Sequence, residues 1–182
     1  LSNLIEKFTT SLHNLWIRQN DVVTLYTSNS WEWIVSYFSI ARIGAIINPV
    51  NTMLTPSEVK HVVNDCKAKA IITSYDKASA IINIKNDTSL NTIISFGRAP
   101  QGTEEFNNLI KNELQPVKMP NIIPEDLSTI GYTSGTTGHP KGAMQSHKSV
   151  VINGAMTSQL HMRGPEDVVV SALPCPHVYA NV

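Results

Sequence analysis

The 182 residues include 14 lysines and arginines and 14 aspartates and glutamates, so the formal net charge is zero, and 42% of the residues are apolar. Sparse, balanced charge offers no basic surface for nucleic acid and no attraction to anionic lipid. The apolar content suffices for one domain with a buried core, and no apolar run has the length of a membrane span or the form of a signal peptide. Two cysteines, Cys66 and Cys175, lack metal or redox spacing, which favours a reduced, cytoplasmic setting.

Helix and strand signals alternate along the first hundred residues. Apolar residues from Leu4 to Trp16 recur at helical spacing, whereas short β-branched runs such as Val22–Tyr26 indicate buried strands. In chain order, the predicted elements are a helix over 4–16, a strand over 22–26, a helix over 29–41, a strand over 45–50, a helix from residue 55, a strand over 70–73, a helix over 76–84 and a strand over 92–96.

Two of these helices begin with capping signals. Asn29 with Glu32 three residues later predicts a capping box, and Gly44 predicts the end of that helix. The run from Thr55 to Glu58 is a stronger start, with an N-cap threonine, a proline in the first position and a glutamate in the third. The residues predicted to face inward from this second helix are Val59, Val62, Val63 and Cys66.

The second half of the chain predicts a change of organisation. Residues 97–124 are rich in proline and glycine and contain one short predicted helix over 104–111. We predict a βαβαβ part over residues 1–115, a linker over 116–127 and the start of a second subdomain over 128–182. That second part would hold a hairpin, a helix over 149–162 and a buried strand over 168–173. Strands that alternate with helices indicate an α/β fold with a mainly parallel sheet and helices on both faces.

Ten consecutive residues, 133–142, carry the main functional signal. Glycines let the backbone fold closely around an anion with its N–H groups inward, hydroxyls add donors, and Lys141 adds a movable positive charge. Apolar flanks that favour β structure predict a strand on either side of this loop. The residues expected to bind a polyphosphate are Thr133, Ser134, Gly135, Thr136, Thr137, Gly138, Lys141 and Gly142.

The loop differs from two familiar phosphate-binding motifs. A Walker loop needs glycine, lysine and a hydroxyl in direct succession before a helix, but His139 and Pro140 separate Gly138 from Lys141. The chain also lacks the glycine fingerprint of dinucleotide-binding folds. A flexible surface hairpin is the alternative interpretation of the same composition.

Three segments resemble the AMP-forming, adenylate-forming synthetase superfamily, which includes acyl-CoA synthetases, beetle luciferases and the adenylation domains of peptide synthetases. The run from Tyr132 to Ala143 resembles the signature loop of that superfamily. Residues 173–180 are similar to its LP-x-x-H-x-x-G segment, with Ala180 where glycine is usual. Residues 21–33 and 44–49 resemble its first βαβ unit, so the likeness extends from about Leu4 to Val182.

The resemblance implies a truncated N-terminal domain of the acyl-CoA synthetase type. Members of the superfamily are several times longer, and their adenine, ribose, hinge and C-terminal lysine motifs would follow Val182. We therefore expect residues 1–182 alone to turn over nothing, because phosphoryl transfer depends on positioning by many groups. The resemblance also leaves room for peripheral membrane contact by the full protein.

Roles for two residues follow from the resemblance. Lys141 would lie against the β- and γ-phosphates of ATP and stabilise departing pyrophosphate, while His177 would orient the substrate carboxylate near the α-phosphate. The reaction implied is attack of a carboxylate on ATP, with Mg²⁺, to give an acyl-adenylate, followed by displacement of AMP by the thiol of coenzyme A. His177 as a packed residue with one hydrogen bond is the alternative. The remaining histidines have no ligand spacing, so we assign no protein metal site.

Three hypotheses of function stay open at this point. The first, which we favour, is a ligase that joins a small-molecule carboxylic acid to coenzyme A, and we expect that acid to be a fatty acid. The second is another adenylating enzyme, either amino-acid-activating or luciferase-like. The third is a non-catalytic nucleotide-binding module that kept only the loop.

Overall fold

The structure, a computed structural model, describes residues 1–133 and 140–176. Its helices are α1 (Ser2–Asn14), α2 (Trp31–Arg42), α3 (Pro56–Asp65), α4 (Tyr75–Lys85), α5 (Phe106–Lys111) and α6 (His147–Leu160). Its strands are β1 (Val22–Tyr26), β2 (Ile46–Pro49), β3 (Ala70–Ser74), β4 (Thr92–Phe96), β5 (Glu104–Glu105), β6 (Leu127–Thr133) and β7 (Lys141–Ser146).

The seven strands form one sheet in the order β5-β4-β3-β1-β2-β6-β7. Every neighbouring pair is parallel except β6 and β7, which form an antiparallel hairpin at one edge. The chain runs from β1 to β2 on one side and returns to β3 on the other side of β1, as in doubly wound folds. The predicted mainly parallel α/β fold is confirmed.

Each face of the sheet is covered by its own apolar core. Val23 and Leu25 of β1 pack in a core with residues of α1, α2 and α5. Val22 and Tyr26, which alternate with them along the strand, pack in a second core with residues of α3. Successive side chains of a strand point to opposite faces, so a strand covered on both sides is apolar at nearly every position. All five residues of β1 are accordingly buried.

The two capping predictions had different outcomes. The capping box of α3 is present, with Thr55 as N-cap, proline in the first turn and Glu58 bonded back to the backbone N–H of Thr55. The prediction of Asn29 as the N-cap of α2 is wrong. Ser30 is the N-cap, and its hydroxyl accepts the backbone N–H of Trp33 at 3.2 Å. The side chain of Asn29 instead bonds to the backbone of residues 173 and 175.

The buried strand predicted over residues 168–173 is also wrong. These residues form no strand, and Val168 and Val170 are 90% and 87% exposed. Among residues 1–133 and 140–176, no strand lies beside this segment to accept its backbone hydrogen bonds. An apolar run is a necessary feature of a buried strand, but a partner strand is needed as well.

Smaller differences concern the boundaries of elements. The helix predicted over 104–111 begins at Phe106, because Glu104 and Glu105 pair with β4 as a two-residue edge strand. Cys66, which we expected to face inward, does pack against the second core and is partly buried there. Residues 113–123 contain neither helix nor strand. The division into two parts with a linker over 116–127 stays a prediction.

Candidate phosphate-loop hairpin

The predicted loop is carried by the antiparallel hairpin of β6 and β7. The two strands pair from Leu127 opposite Ser146 to Thr133 opposite Lys141, which is the last pair before the tip. Thr133 and Lys141 are therefore cross-strand neighbours, and only residues 134–140 lie between them along the chain. The hairpin places a hydroxyl and an ammonium side by side where the loop begins and ends.

Lys141 and Thr133 are both exposed. Within the part of the chain that the structure describes, the Lys141 ammonium has no ion pair. A lysine without a carboxylate partner can place its positive charge on an incoming anion without first breaking an ion pair. This arrangement suits a binding site for phosphate oxygens.

The buried side chain of Asn48 links β6 to the parallel sheet. Its amide N–H donates to the carbonyl of Ile130 at 2.8 Å, and its carbonyl accepts the hydroxyl of Thr24 at 3.0 Å. The direct register between β2 and β6 is the single pair Ile47 and Thr129. Pro49, which follows Asn48 in β2, has no backbone N–H to donate to β6. The Asn48 side chain provides the bond that the backbone ladder lacks at this point.

Tyr132 joins the stem of the loop to α3. Its hydroxyl donates a hydrogen bond to the carboxylate of Asp65, the last residue of α3. Burial of the hydroxyl, followed by its bond to Asp65, raises the pKa of Tyr132 far above its ordinary value of 10.0. Tyr132 therefore stays protonated, and remains a hydrogen-bond donor, throughout the neutral range.

The ring of Tyr132 lies against Gly142 on the opposite strand. A Cβ atom at Gly142 would come within 2.9 Å of the Ile130 Cγ2 atom and 3.2 Å of the Tyr132 Cζ atom. Glycine at this position thus leaves the space that the tyrosine ring occupies, a pairing that is common between glycine and aromatic residues on adjacent strands.

The thiol of Cys66, the residue after Asp65, lies close to the Asn48 and Tyr132 contacts described above. It lies 3.8 Å from the amide oxygen of Asn48, and burial raises the pKa of Cys66 to about 11. A thiol with such a pKa is almost entirely protonated at neutral pH, and the thiolate is the reactive form. Cys66 is therefore a packing residue rather than a nucleophile.

Three of the predicted phosphate-binding residues, Thr133, Lys141 and Gly142, are brought together at the end of the stem. The others, Ser134, Gly135, Thr136, Thr137 and Gly138, lie outside the described residues, as does His177. In residues 1–133 and 140–176, no three His, Cys, Asp or Glu side chains form a group that could hold a metal ion.

Sequence reasoning missed two residues that support the hairpin, Asn48 and Asp65. Asn48 could have been found, because a polar amide inside the apolar run Ile46–Pro49 must bury its polar atoms and so needs partners. Asp65 could not, because 67 positions separate it from Tyr132.

Two surface depressions lie away from the hairpin tip. One, of about 380 Å³, includes Arg42 and His147 in its lining, and the other, of about 440 Å³, includes Tyr26 and Lys77. Thr133, Lys141 and Gly142 line neither of them. Among the described helices, none is both long and apolar enough to cross a bilayer.

Taken together, the doubly wound sheet and the glycine- and hydroxyl-rich hairpin define an α/β protein of the adenylate-forming class. The chain belongs to the family of AMP-binding enzymes, whose model matches residues 1–182.

Two relatives of this chain are named as CoA ligases. The 4-coumarate:CoA ligase 1 of Petunia hybrida is 31% identical over 179 residues, which cover 96% of this chain and 32% of that protein. The crystal structure of the anthranilate CoA ligase AuaEII in complex with anthranoyl-AMP has a TM-score of 0.79 and 32% identity, over 85% of this chain and 30% of that one. This chain thus spans about a third of the length of these relatives.

A second solved structure supports the fold alone. The long-chain-fatty-acid-CoA ligase FadD1 from Archaeoglobus fulgidus has a TM-score of 0.89 at 20% identity, over 98% of this chain and 35% of that one. The expected N-terminal-domain type of fold is confirmed by this similarity.

Proposed function

We propose that the protein containing this chain is an AMP-forming ligase that joins a carboxylic acid to coenzyme A. In the first step, a carboxylate oxygen attacks the α-phosphorus of ATP, which gives an acyl-adenylate and releases pyrophosphate. In the second step, the thiol of coenzyme A attacks the acyl carbon and releases AMP. The observation that carries the proposal is Lys141, which has no ion pair among the described residues and lies beside Thr133 at the end of the β6–β7 hairpin in a chain of this family.

In this proposal, the hairpin binds the triphosphate of ATP. The Lys141 ammonium neutralises negative charge that accumulates on the departing pyrophosphate, and charge stabilisation of this kind provides much of the acceleration in phosphoryl transfer. Backbone N–H groups and hydroxyls of residues 133–138 would bind phosphate oxygens. His177 would hold the carboxylate near the α-phosphorus.

Mg²⁺ belongs to the proposal as the counter-ion of the ATP phosphates. It commonly binds through one or two carboxylates together with substrate phosphates and water. No residue of this chain is assigned to it. The cytoplasmic setting that the two unpaired cysteines predict is retained as part of the proposal.

The identity of the acid divides into two candidates. The isoleucine- and valine-rich pattern of the chain and its segment from His177 to Tyr179 resemble acyl-CoA ligases more than peptide-synthetase domains, and a fatty acid is the substrate expected from that resemblance. The names of two relatives above 30% identity favour an aromatic acid, because they refer to 4-coumarate and anthranilate. An acid panel therefore needs to include both kinds.

The test measures ATP–pyrophosphate exchange by the full-length protein with fatty and aromatic acids. Lys141→Ala is expected to lower the exchange rate by about a hundredfold, as loss of one charge-stabilising donor does in other enzymes. Lys111→Ala is the matched control, since Lys111 ends α5 beside the opposite edge of the sheet. Absence of exchange with every acid, or equal rates in the two variants, would refute the proposal.

A second measurement separates the CoA ligase from other adenylating enzymes. Formation of a coenzyme A thioester from the acid that supports exchange is expected. Exchange without thioester would leave an adenylating enzyme with a different second step.

A further inference from the structure

The strand that leads into the loop, β6, has little backbone pairing with its neighbour β2. β2 and β6 share one register pair, Ile47 with Thr129, and the buried Asn48 adds one hydrogen bond to Ile130. Beyond Ile130, the last residues of β6 pair only with β7 among the described strands. Packing of Ile130 and Tyr132 against the second core also holds the stem, but the backbone ladder alone does not define its direction near the loop.

The bond between Tyr132 and Asp65 provides that additional attachment. Tyr132 directly precedes Thr133, where the loop begins, and Asp65 is the last residue of α3, a helix packed in the core of the sheet. A hydrogen bond in which one partner is ionised is stronger than a bond between neutral groups. It connects the stem, one residue before its last cross-strand pair, to α3 and so to the core of the fold.

The position of Asp65 is unfavourable for α3 taken alone. Unpaired carbonyls give the C-terminal end of a helix a partial negative charge, and a carboxylate there is repelled. The last turn of α3 has no basic residue to offset this repulsion. A residue that breaks a local rule in this way is typically retained for an interaction elsewhere, and the interaction of Asp65 is with Tyr132.

Gly142 shows that the position of the Tyr132 ring matters for both strands of the stem. The ring fills the space above Gly142, its direct cross-strand partner. Lys141 is the neighbour of Gly142 and Thr133 the neighbour of Tyr132. The ring of Tyr132, the residue before one end of the loop, thus lies against Gly142, the residue after the other end.

We propose that Asp65 and Tyr132 are a positioning pair that holds the stem of the loop in the geometry that receives the triphosphate of ATP. The proposal rests on the proposed function of the hairpin. Neither residue is proposed to contact the reacting atoms. The pair lowers the number of orientations that the stem adopts before ATP binds, so a larger fraction of molecules is competent to bind.

Loss of the pair is therefore expected to change apparent ATP affinity more than the rate at saturation. When the binding-competent state is a smaller fraction, apparent affinity falls by that fraction, whereas bound ATP restores the geometry. Because Asp65 is exposed, its bond is partly screened, and we expect a rise in the KM for ATP of roughly threefold to tenfold.

The experiment uses steady-state adenylation by the full-length protein with the variants Tyr132→Phe, Asp65→Asn and the double variant. Each single variant is expected to raise the KM for ATP while kcat and the KM for the acid change less than about twofold. The double variant should be no worse than the poorer single variant, because both substitutions act on the same bond: Tyr132→Phe removes it, and Asp65→Asn weakens it by leaving an acceptor without charge. Hydrogen exchange of the backbone amides of residues 131–133 should quicken in the ATP-free variants.

Two matched controls accompany these variants. Tyr26→Phe removes a buried tyrosine hydroxyl that donates to the backbone carbonyl of Leu54, away from the hairpin. Asp87→Asn removes an exposed carboxylate paired with Lys60. Neither is expected to change the KM for ATP.

The outcomes separate this proposal from the proposed function. If Lys141→Ala abolishes exchange but Tyr132→Phe and Asp65→Asn match their controls, the positioning role is wrong and the function stands. If the two effects on the KM add fully in the double variant, the residues act independently and the proposal fails. Asp65→Asn, an exposed substitution, keeps the test decisive if Tyr132→Phe does not fold.

Discussion

At the scale of single residues, one buried amide determines how the hairpin joins the sheet. Asn48 is fully buried, and both polar ends of its side chain are bonded, to Thr24 on one side and to Ile130 on the other. An unpaired polar atom at such a site would cost about 1–3 kcal/mol. The amide therefore favours the arrangement of β1, β2 and β6 in which both of its polar ends are bonded. An apolar residue of similar size would not favour this arrangement over others.

Glycine at position 142 is required by packing rather than by backbone conformation. A Cβ atom there would meet Ile130 and Tyr132 at distances that force one of them to move. We expect Gly142→Ala to lower the free energy of unfolding by about 1–3 kcal/mol, the usual cost of overpacking. Chemical denaturation measures this change.

A second glycine of the same hairpin provides the control. Gly131 of β6 has no atom within 4 Å of the place where its Cβ would lie. Gly131→Ala should therefore leave the denaturation midpoint nearly unchanged or raise it slightly, because alanine restricts the unfolded chain. Equal destabilisation by both substitutions would contradict the packing argument.

At the scale of elements, the capping box of α3 makes stability depend on pH. The backbone N–H of Thr55, and next its hydroxyl, lower the pKa of Glu58 below its ordinary value of 4.5. Since the folded pKa lies below the unfolded one, the contribution is present above the unfolded pKa and is lost as the pH falls through the folded pKa. Acid should therefore weaken the start of α3.

We expect Glu58→Gln to lower the melting temperature at pH 7 and to reduce its further decrease between pH 5 and 3. The glutamine can still accept the Thr55 bonds but carries no charge to lose. Melting curves of the wild type and the variant at several pH values measure the effect. Ser57→Ala, in the same exposed first turn, is the control and should keep the pH dependence of the wild type, whereas parallel curves for wild type and Glu58→Gln would exclude the linkage.

Elements whose signals are local were predictable from the sequence. β1 and the start of α3 depend on an apolar run and on a four-residue capping pattern, and the structure has both where they were expected. The N-cap of α2 was misplaced by one residue, because Asn29 and Ser30 are both good caps and the choice depends on the contact of Asn29 with residues 173 and 175.

Features that depend on distant partners could not be predicted. The segment 168–173 has the composition of a buried strand, but strand formation needs a neighbour that composition does not reveal. The bond of Tyr132 to Asp65 joins residues far apart in the chain, so only the packing of α3 against the sheet brings them together. The sequence therefore provided a prediction for the phosphate-binding residues of the hairpin, but none for Asn48 and Asp65, which support it.

At the scale of the whole molecule, the two edges of the sheet differ in how they are covered. At the β5 edge, α5 contributes Phe106, Leu109 and Ile110 to the core. At the hairpin edge, α6 has no buried residue at all. Its exposed apolar side chains, together with those of the following segment, are Val151, Ile152, Met156, Leu160, Val168, Val169 and Val170.

We infer that these side chains contact other protein, because large exposed apolar patches are unusual on soluble monomers. We expect residues 1–182, prepared alone, to bind a hydrophobic dye and to self-associate as concentration rises. The triple variant Val151→Gln, Met156→Gln, Leu160→Gln should reduce both effects, as measured by dye fluorescence and sedimentation velocity. Met53→Gln removes a side chain that is 84% exposed but lies outside this surface, so it should change neither. Burial of exposed apolar area is the driving force for both effects. A chain that binds no dye and stays monomeric at high concentration would therefore contradict the expectation that these side chains of α6 are covered by other protein.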